Sequence, residues 1–259
     1  MPRRHRPRHW FRLNVIVWNT HVGAAVANGG LEWLLHHIRR RVHLILVQEV
    51  RHAVMLRRHL GDDWLILGGP DPGRDALPYV VARRSRFEVV DVEVDDITFG
   101  SRWARRTVVA ALRDKRTRRL VFAQSVHVDP LGRGLPRANR RALDRQRRQL
   151  AACVDALEPA ARNAEAVLLA GGDFNQDLDA RLSDRYDRYS APVMFSDLGM
   201  LPAHTLAGDP RDVRLDDLFA RVGDDVRVDE RRRLDPPVRG NDHSAVFVSL
   251  LVRRLRRCG

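Results

Sequence analysis

The stretch from Glu165 to Asp177, E-A-V-L-L-A-G-G-D-F-N-Q-D, constrains the fold of this chain more than any other. Apolar residues from Ala166 to Ala170 run straight into two glycines and a polar cluster. A short unbroken apolar run bounded by turn residues fits a β-strand covered on both faces, because a half-exposed strand would alternate. Gly171 and Gly172 allow a close backbone approach that a Cβ would block. Asp173 and Asn175 share parity, so continued extension would turn both to one side and Phe174 to the other. The expectation is a buried strand delivering a carboxylate and an amide at its end, able to hold a water or a phosphate oxygen. The plainer alternative is an Asx-rich turn.

The pattern recurs along the chain. Residues 12–18 alternate as a strand and end in Trp18-Asn19-Thr20-His21. Leu31, Leu34, Leu35 and Ile38 fall at helical spacing within 31–40. The apolar strand 42–47 leads into Gln48-Glu49, and a short helix is expected over 51–60. Strands are expected over 64–67, 79–83, 87–94, 107–112 and 120–128, with His127 near the end of the last. Glycine- and proline-rich segments at 68–77 and 130–136 read as loops. A long basic amphipathic helix over 139–157 has Leu143, Leu150, Val154 and Leu157 on its apolar side, and another helix is expected over 179–188. The segment 213–220 sets Asp216 and Asp217 inside an otherwise apolar strand, which demands a reason. A short strand is expected over 226–228, and Asn241-Asp242-His243-Ser244 runs into a final one.

At 259 residues and 44% hydrophobic, the chain has enough apolar content for one globular domain. We place it over 12–252, between a basic disordered arm at 1–11 and a basic tail at 253–259. Lys and Arg total 46 against 33 Asp and Glu, a formal charge of +13 that suits nucleic acid or anionic headgroups. Lys115 is the only lysine, so the arginine bias looks as much like a coding preference as a functional choice. Two cysteines, Cys153 and Cys258, allow at most a single bridge, which excludes a disulfide framework and a cysteine metal site. The N-terminal apolar run is too short and polar for a signal peptide, and no run approaches a membrane span. A cytoplasmic monomer is expected.

Strand-end acids with amides and imidazoles, and no thiols, suit Mg²⁺ or Mn²⁺. A carboxylate beside a histidine orients the ring to take a proton from water. Together these groups point to metal-assisted hydrolysis of a phosphoester. Taken in order, W-N-T at 18–20, Q-E at 48–49, S-V-H-V at 125–128, G-D-F-N at 172–175, R-L-D-D-L at 214–218 and N-D-H-S at 241–244 resemble the successive motifs of the endonuclease/exonuclease/phosphatase superfamily, the deoxyribonuclease I-like fold. The resemblance covers roughly residues 12–252. It implies a four-layer sandwich of two largely antiparallel β-sheets flanked by helices, an α/β protein of the α+β type; the residues alone give only a mixed α/β class.

Carried over by position, the resemblance makes Glu49 the principal metal ligand, with Asn19 close to the ion and Asp242 a further ligand. His243 resembles the histidine that activates water, held by Asp216. Asp173 and Asn175 would position the nucleophile and stabilise charge on phosphorus, and His127 would contact the scissile phosphate or protonate the leaving oxygen. Departures from the pattern are Val42-His43, where an acid is often found, and Asn241 in place of a serine. Asp217 beside Asp216 leaves the orienting acid ambiguous by one residue; Asp216 is preferred because it follows the Arg-Leu pair.

Arg106, Arg140, Arg145 and Arg147 are candidates for substrate phosphate, against the commoner fate of a solvated surface. Trp103 and Tyr79 are candidates for base stacking, against packing. The reading is a Mg²⁺-dependent phosphodiesterase, a nuclease acting on DNA. The alternatives are a phosphatase or phospholipase acting on inositol phosphates or lipid headgroups, and an inactive nucleic-acid-binding module. Histidine at 127, where the resemblance gives dedicated abasic-site endonucleases a tyrosine, argues for action beyond abasic sites. Polar loops and the basic helix favour nucleic acid over a membrane surface.

Overall fold

The computed structural model describes residues 9–21, 23–37, 42–69, 77–130, 136–175, 190–203, 216–235, 237 and 243–255. Among them twelve strands form two six-stranded sheets. The first runs, edge to edge, β11 (Val226–Leu234), β12 (Ala245–Arg253), β1 (Trp10–Asn19), β2 (Leu44–Val50), β4 (Leu77–Arg83) and β3 (Trp64–Leu67). The second runs β5 (Phe87–Asp96), β6 (Arg106–Asp114), β7 (Leu120–His127), β8 (Val167–Asp173), β10 (Asp216–Arg221) and β9 (Met200–Pro202).

Most neighbours are antiparallel, but β1 with β2 and β7 with β8 are parallel. A parallel pair needs a crossover, usually helical. Helices α1 (Ala24–Ala27) and α2 (Gly30–His37) make the first, and α4 (Pro136–Ala161) makes the second. Two further helices are α3 (Ala53–Leu60) and α5 (Ala191–Ser196). Parallel neighbours finish at the same edge of a sheet. Asn19 therefore lies opposite Gln48, and His127 opposite Asp173.

Three apolar layers hold the sandwich. Between the sheets, Val15, Val17, Leu44 and Leu46 meet Val108, Ala110, Leu169 and Leu218. Outside the first sheet, Ile16, Trp18 and Ile45 pack with Leu31 and Leu34 of α2 and Leu56 of α3. Outside the second, Leu168, Ala170 and Phe219 pack with Leu150, Cys153 and Leu157 of α4 and Phe195 of α5. The four layers are those implied by the sequence resemblance, with two sheets inside and helices on both outer faces.

Every residue of β8 is buried, which is why its sequence is a continuous apolar run. Its glycines are required by distance. A Cβ on Gly171 would lie 2.6 Å from Val17 and 2.8 Å from Leu46 of the facing sheet, and one on Gly172 only 1.8 Å from the carbonyl oxygen of Val126.

Several elements depart from the sequence expectation. The short strand at 226–228 is a nine-residue edge strand, and β9, α1 and α5 were not anticipated. In α4 the buried stripe is Leu150, Cys153, Leu157 and Ala160, while Leu143 and Val154 are half-buried. The expected helix at 179–188, residues 70–76 and 131–135 of the expected loops, residues 1–8 of the arm and 256–259 of the tail lie outside the described residues. No helix among the described residues is long and apolar enough to cross a membrane.

Candidate active site

The ends of β1, β2, β7, β8 and β10 converge on one place. Asn19 stands at the end of β1, its amide nitrogen donating to Glu49 Oε1 at 3.2 Å and to Asp173 Oδ2 at 3.0 Å. Its oxygen accepts the His21 N–H at 3.0 Å, so Asn19 orients the two acids from between them. Glu49 reaches this point because the pairing of β2 with β4 slips between Val47 and Val50. Such a bulge re-aims a side chain, and Glu49 there takes a positive φ of 58°. A positive φ on a non-glycine residue costs on the order of 1 kcal/mol or more and persists where its surroundings impose it. Beneath, Gln48 is buried, its amide nitrogen 2.9 Å from Ser125 Oγ, and Ser125 Oγ donates to Val47 O at 3.1 Å. These polar bonds tie one sheet to the other under the site.

His127 lies on the opposite wall. Its Nε2 is 3.3 Å from Glu49 and 3.9 Å from Asp173 Oδ2, and its Nδ1 is 3.0 Å from Arg105 Nη1. A guanidinium only donates, so Nδ1 accepts and the ring proton sits on Nε2, toward the acids. Burial, then the Arg105 and His243 charges, hold the His127 pKa well below its ordinary value, so the ring is neutral. Arg105 is held by Asp129 through Nε to Oδ1 at 2.7 Å, and Arg145 meets the other oxygen of Asp129 at 2.6 Å. Gln146 and Gln149 of α4 bond the backbone of Asp129.

The third wall is carboxylate and imidazole. Asp216 Oδ2 is 2.8 Å from His243 Nδ1, and His243 Nε2 is 4.0 Å from Asp173 Oδ2. If Asp216 accepts the Nδ1 proton, Nε2 is left to accept one, and a water can touch both Nε2 and Asp173 at that separation. Burial first, then the charge of Asp216, pushes Asp173 up to about 8. Burial raises Asp216 as well. Asp217 is engaged elsewhere, with Arg231 at 3.4 Å.

A divalent cation fits this donor set. Asp173, Asp216 and His243 offer ligand atoms within 4.8 Å of one another. Glu49, 20% exposed, borders the same space from the open side. Crowded buried carboxylates with raised pKa values lack positive charge, and Asp216 Oδ1 is buried with no hydrogen-bond partner among the described residues. Hard oxygens around a partly open space are what Mg²⁺ or Mn²⁺ accepts.

The other candidates are placed differently. The strand ends at Asp173, and Asn175 has a positive φ of 47°, so the two do not alternate as continued extension would require. The amide of Asn175 donates to Val128 O at 2.8 Å and its N–H to Asp173 Oδ1 at 2.8 Å. Phe174 packs edge-on to Phe195 and Phe219. Asp242 and Asn241 lie outside the described residues. Arg145 is committed to Asp129, Arg147 pairs with Asp144 at 3.3 Å, and Arg140 is exposed on α4. Arg106 begins β6 opposite Asp96, and a Cβ on Gly69 would lie 3.1 Å from it. Tyr79 is buried under the helices of the first sheet, which excludes stacking on a substrate, whereas Trp103 is 64% exposed. Arg105 and Asp129 were missed by the sequence reading. The available signal was Asp129 itself, two residues past His127 and so of equal parity.

No family model and no curated relative matches the chain. Solved structures do. An endonuclease/exonuclease/phosphatase from Bacteroides vulgatus aligns with a TM-score of 0.70 at 16% identity, over 94% of this chain and all of that one, 100%. TDP2 of D. rerio, complexed with a single-strand DNA product, aligns at 0.66 and 14% identity over 92% and 98% of the two chains. A mannosyl-6-phosphatase from Bacteroides thetaiotaomicron aligns at 0.65 and 15% identity over 92% and 99%. With two mixed sheets in the same arrangement along nearly their whole lengths, this chain has the endonuclease/exonuclease/phosphatase fold.

Proposed function

We propose that the chain is a metal-dependent phosphoric ester hydrolase and that its substrate is nucleic acid, DNA first. The observation that carries this reading is the convergence of Glu49, Asn19, His127, Asp173 and Asp216, from five strand ends in two sheets, with His243 from the segment just before β12. Glu49, with Asn19 close to the ion and Asp242 a further ligand, would hold Mg²⁺ or Mn²⁺ at the border of the Asp173, Asp216 and His243 cluster. Bound there, the cation would neutralise the phosphate and act as a Lewis acid on its oxygens. His243, oriented by Asp216, takes the proton of the attacking water at Nε2. Asp173 positions that water. His127, neutral and protonated at Nε2, donates a hydrogen bond to a phosphate oxygen. Being neutral, it contacts the phosphate rather than acting as the acid, and the leaving oxygen takes its proton from solvent. Asn175 holds the backbone beside Asp173 and keeps this wall in register.

The choice of nucleic acid rests on the net charge of +13 and on exposed arginines such as Arg140. TDP2 with its single-strand DNA product supports that choice, while the mannosyl-6-phosphatase keeps a phosphomonoester as the rival. A substrate panel tests the reading: single-stranded DNA, plasmid, abasic duplex, RNA, a sugar phosphate and sphingomyelin, each with Mg²⁺ and with EDTA. We expect Mg²⁺-dependent cleavage of ordinary DNA, not confined to abasic sites. Turnover of the sugar phosphate or the lipid with none of DNA would overturn the substrate assignment.

A further inference from the structure

The loop between β5 and β6, residues 97–105, carries an exposed aromatic surface on a rigid frame. Ile97 is buried, and its N–H donates to Arg105 O at 2.8 Å. The Arg105 N–H returns a bond to Thr98 Oγ1 at 3.1 Å. Ser101 Oγ donates to Asp129 Oδ1 at 2.9 Å and accepts the Trp103 N–H at 3.2 Å. Asp129 is also the carboxylate that holds Arg105 against His127. A loop tied this firmly nevertheless leaves Trp103 64% and Phe99 42% exposed, whereas Trp18 and Trp64 are buried. A single exposed apolar residue needs no explanation. Two aromatics on one pinned loop, with the Arg148 guanidinium 5.7 Å from the Phe99 ring and Arg102 exposed beside Trp103, form a lip of rings and cations.

We propose that this lip is a stacking subsite for an unpaired nucleobase beside the scissile phosphate, with Trp103 as its platform. The proposal rests on the nuclease reading above and specifies the form of nucleic acid taken. Base–aromatic stacking is sequence-tolerant, because every base offers a π-face. It requires a base already out of a duplex stack, so the lip selects single strands. Trp103 is two residues from Arg105, at most about 7 Å along the chain, and Arg105 touches His127. The lip therefore stands within a few nucleotides' length of the site. Its hydrogen bonds mean that little freedom is lost on binding.

The test measures binding apart from cleavage. Fluorescence anisotropy of a labelled single-stranded phosphorothioate oligonucleotide in EDTA gives Kd for the wild type, Trp103→Phe and Trp103→Leu. We expect Trp103→Leu to raise Kd about tenfold, the scale of one lost base stack, with Trp103→Phe close to wild type. All three should share one melting temperature, because the ring is exposed. The slope of log Kd against log salt should be unchanged, since no phosphate contact is removed. Equal Kd for the three proteins, an equal loss in the Phe and Leu variants, or no oligonucleotide binding by the wild type would overturn the proposal. Trp103-dependent binding of anionic vesicles in place of the oligonucleotide would overturn it too. A wild type that binds the oligonucleotide through Trp103 but cleaves no DNA with Mg²⁺ would instead remove the nuclease reading and leave a binding lip.

Discussion

At the scale of single residues, hydrogen bonds fix which nitrogen of each imidazole carries a proton. Asp216 at 2.8 Å from His243 Nδ1 makes the two a unit, so losing either should leave the other of little use. We expect His243→Ala to lower turnover by about a thousandfold and the Asp216→Ala, His243→Ala double variant to be little worse. A double-mutant cycle on kcat checks this, and strictly multiplicative losses would contradict the pairing. His243 was legible in the sequence because it stands just before an apolar strand, and Asp216 because an acid inside an otherwise apolar run demands a reason; the described strand begins at Asp216. Arg105 was not, because its partners His127 and Asp129 are 22 and 24 residues away in sequence and nothing local marks it among so many arginines. Asn175 was read with the right neighbours but the wrong backbone, since a left-handed residue breaks the alternation that parity assumes.

At the scale of elements, neighbouring strands are held close by what they lack. A methyl group at Gly172 would fall on the Val126 carbonyl, inside the parallel β7–β8 pair that brings His127 opposite Asp173. Gly172→Ala should therefore cost roughly 3 kcal/mol or more, read as a lower urea midpoint, together with lost activity; an unchanged midpoint would mean the strands are not so close. The other parallel pair has its own sensitivity. His43 Nδ1 accepts the Asn14 N–H at 3.0 Å across β1 and the start of β2. Burial first, and then Arg86, lowers its pKa from 6.5 to about 3. Between those values the unfolded chain binds the extra proton, so this contribution to stability is whole above 6.5 and is lost as pH falls toward 3. His43→Asn, which keeps an acceptor and removes the titration, should flatten the pH dependence of the melting temperature over that window. An identical profile for the variant and the wild type would contradict it. Strands with unbroken apolar runs, such as β8 and β2, were legible in the sequence. The three-residue β9 and the six-residue α5 were not, because segments so short carry no periodicity and owe their form to Phe195 and Met200 packing under the second sheet.

At the scale of the whole molecule, topology does what no local motif can. Two parallel pairs, one in each sheet, bring consecutive strand ends together in twos, and facing the sheets joins the twos into one site. That convergence was readable only through the order of the motifs, because spacing along the chain says nothing of which edge a strand finishes on. Charge was readable as a sum and not as a surface. Of the arginines singled out for phosphate, Arg145 proves to be tied to Asp129 and Arg147 to Asp144. The central claim is that Glu49 anchors a metal-dependent phosphodiesterase site. Its most direct test is the rate of hydrolysis of bis(p-nitrophenyl) phosphate by the purified wild type and by Glu49→Gln, prepared identically and shown to melt alike, each with Mg²⁺, with Mn²⁺ and with EDTA. The wild type should turn over only with metal, and Glu49→Gln should lose about a hundredfold or more. Turnover that survives EDTA, or a Glu49→Gln protein as active as the wild type, would contradict it.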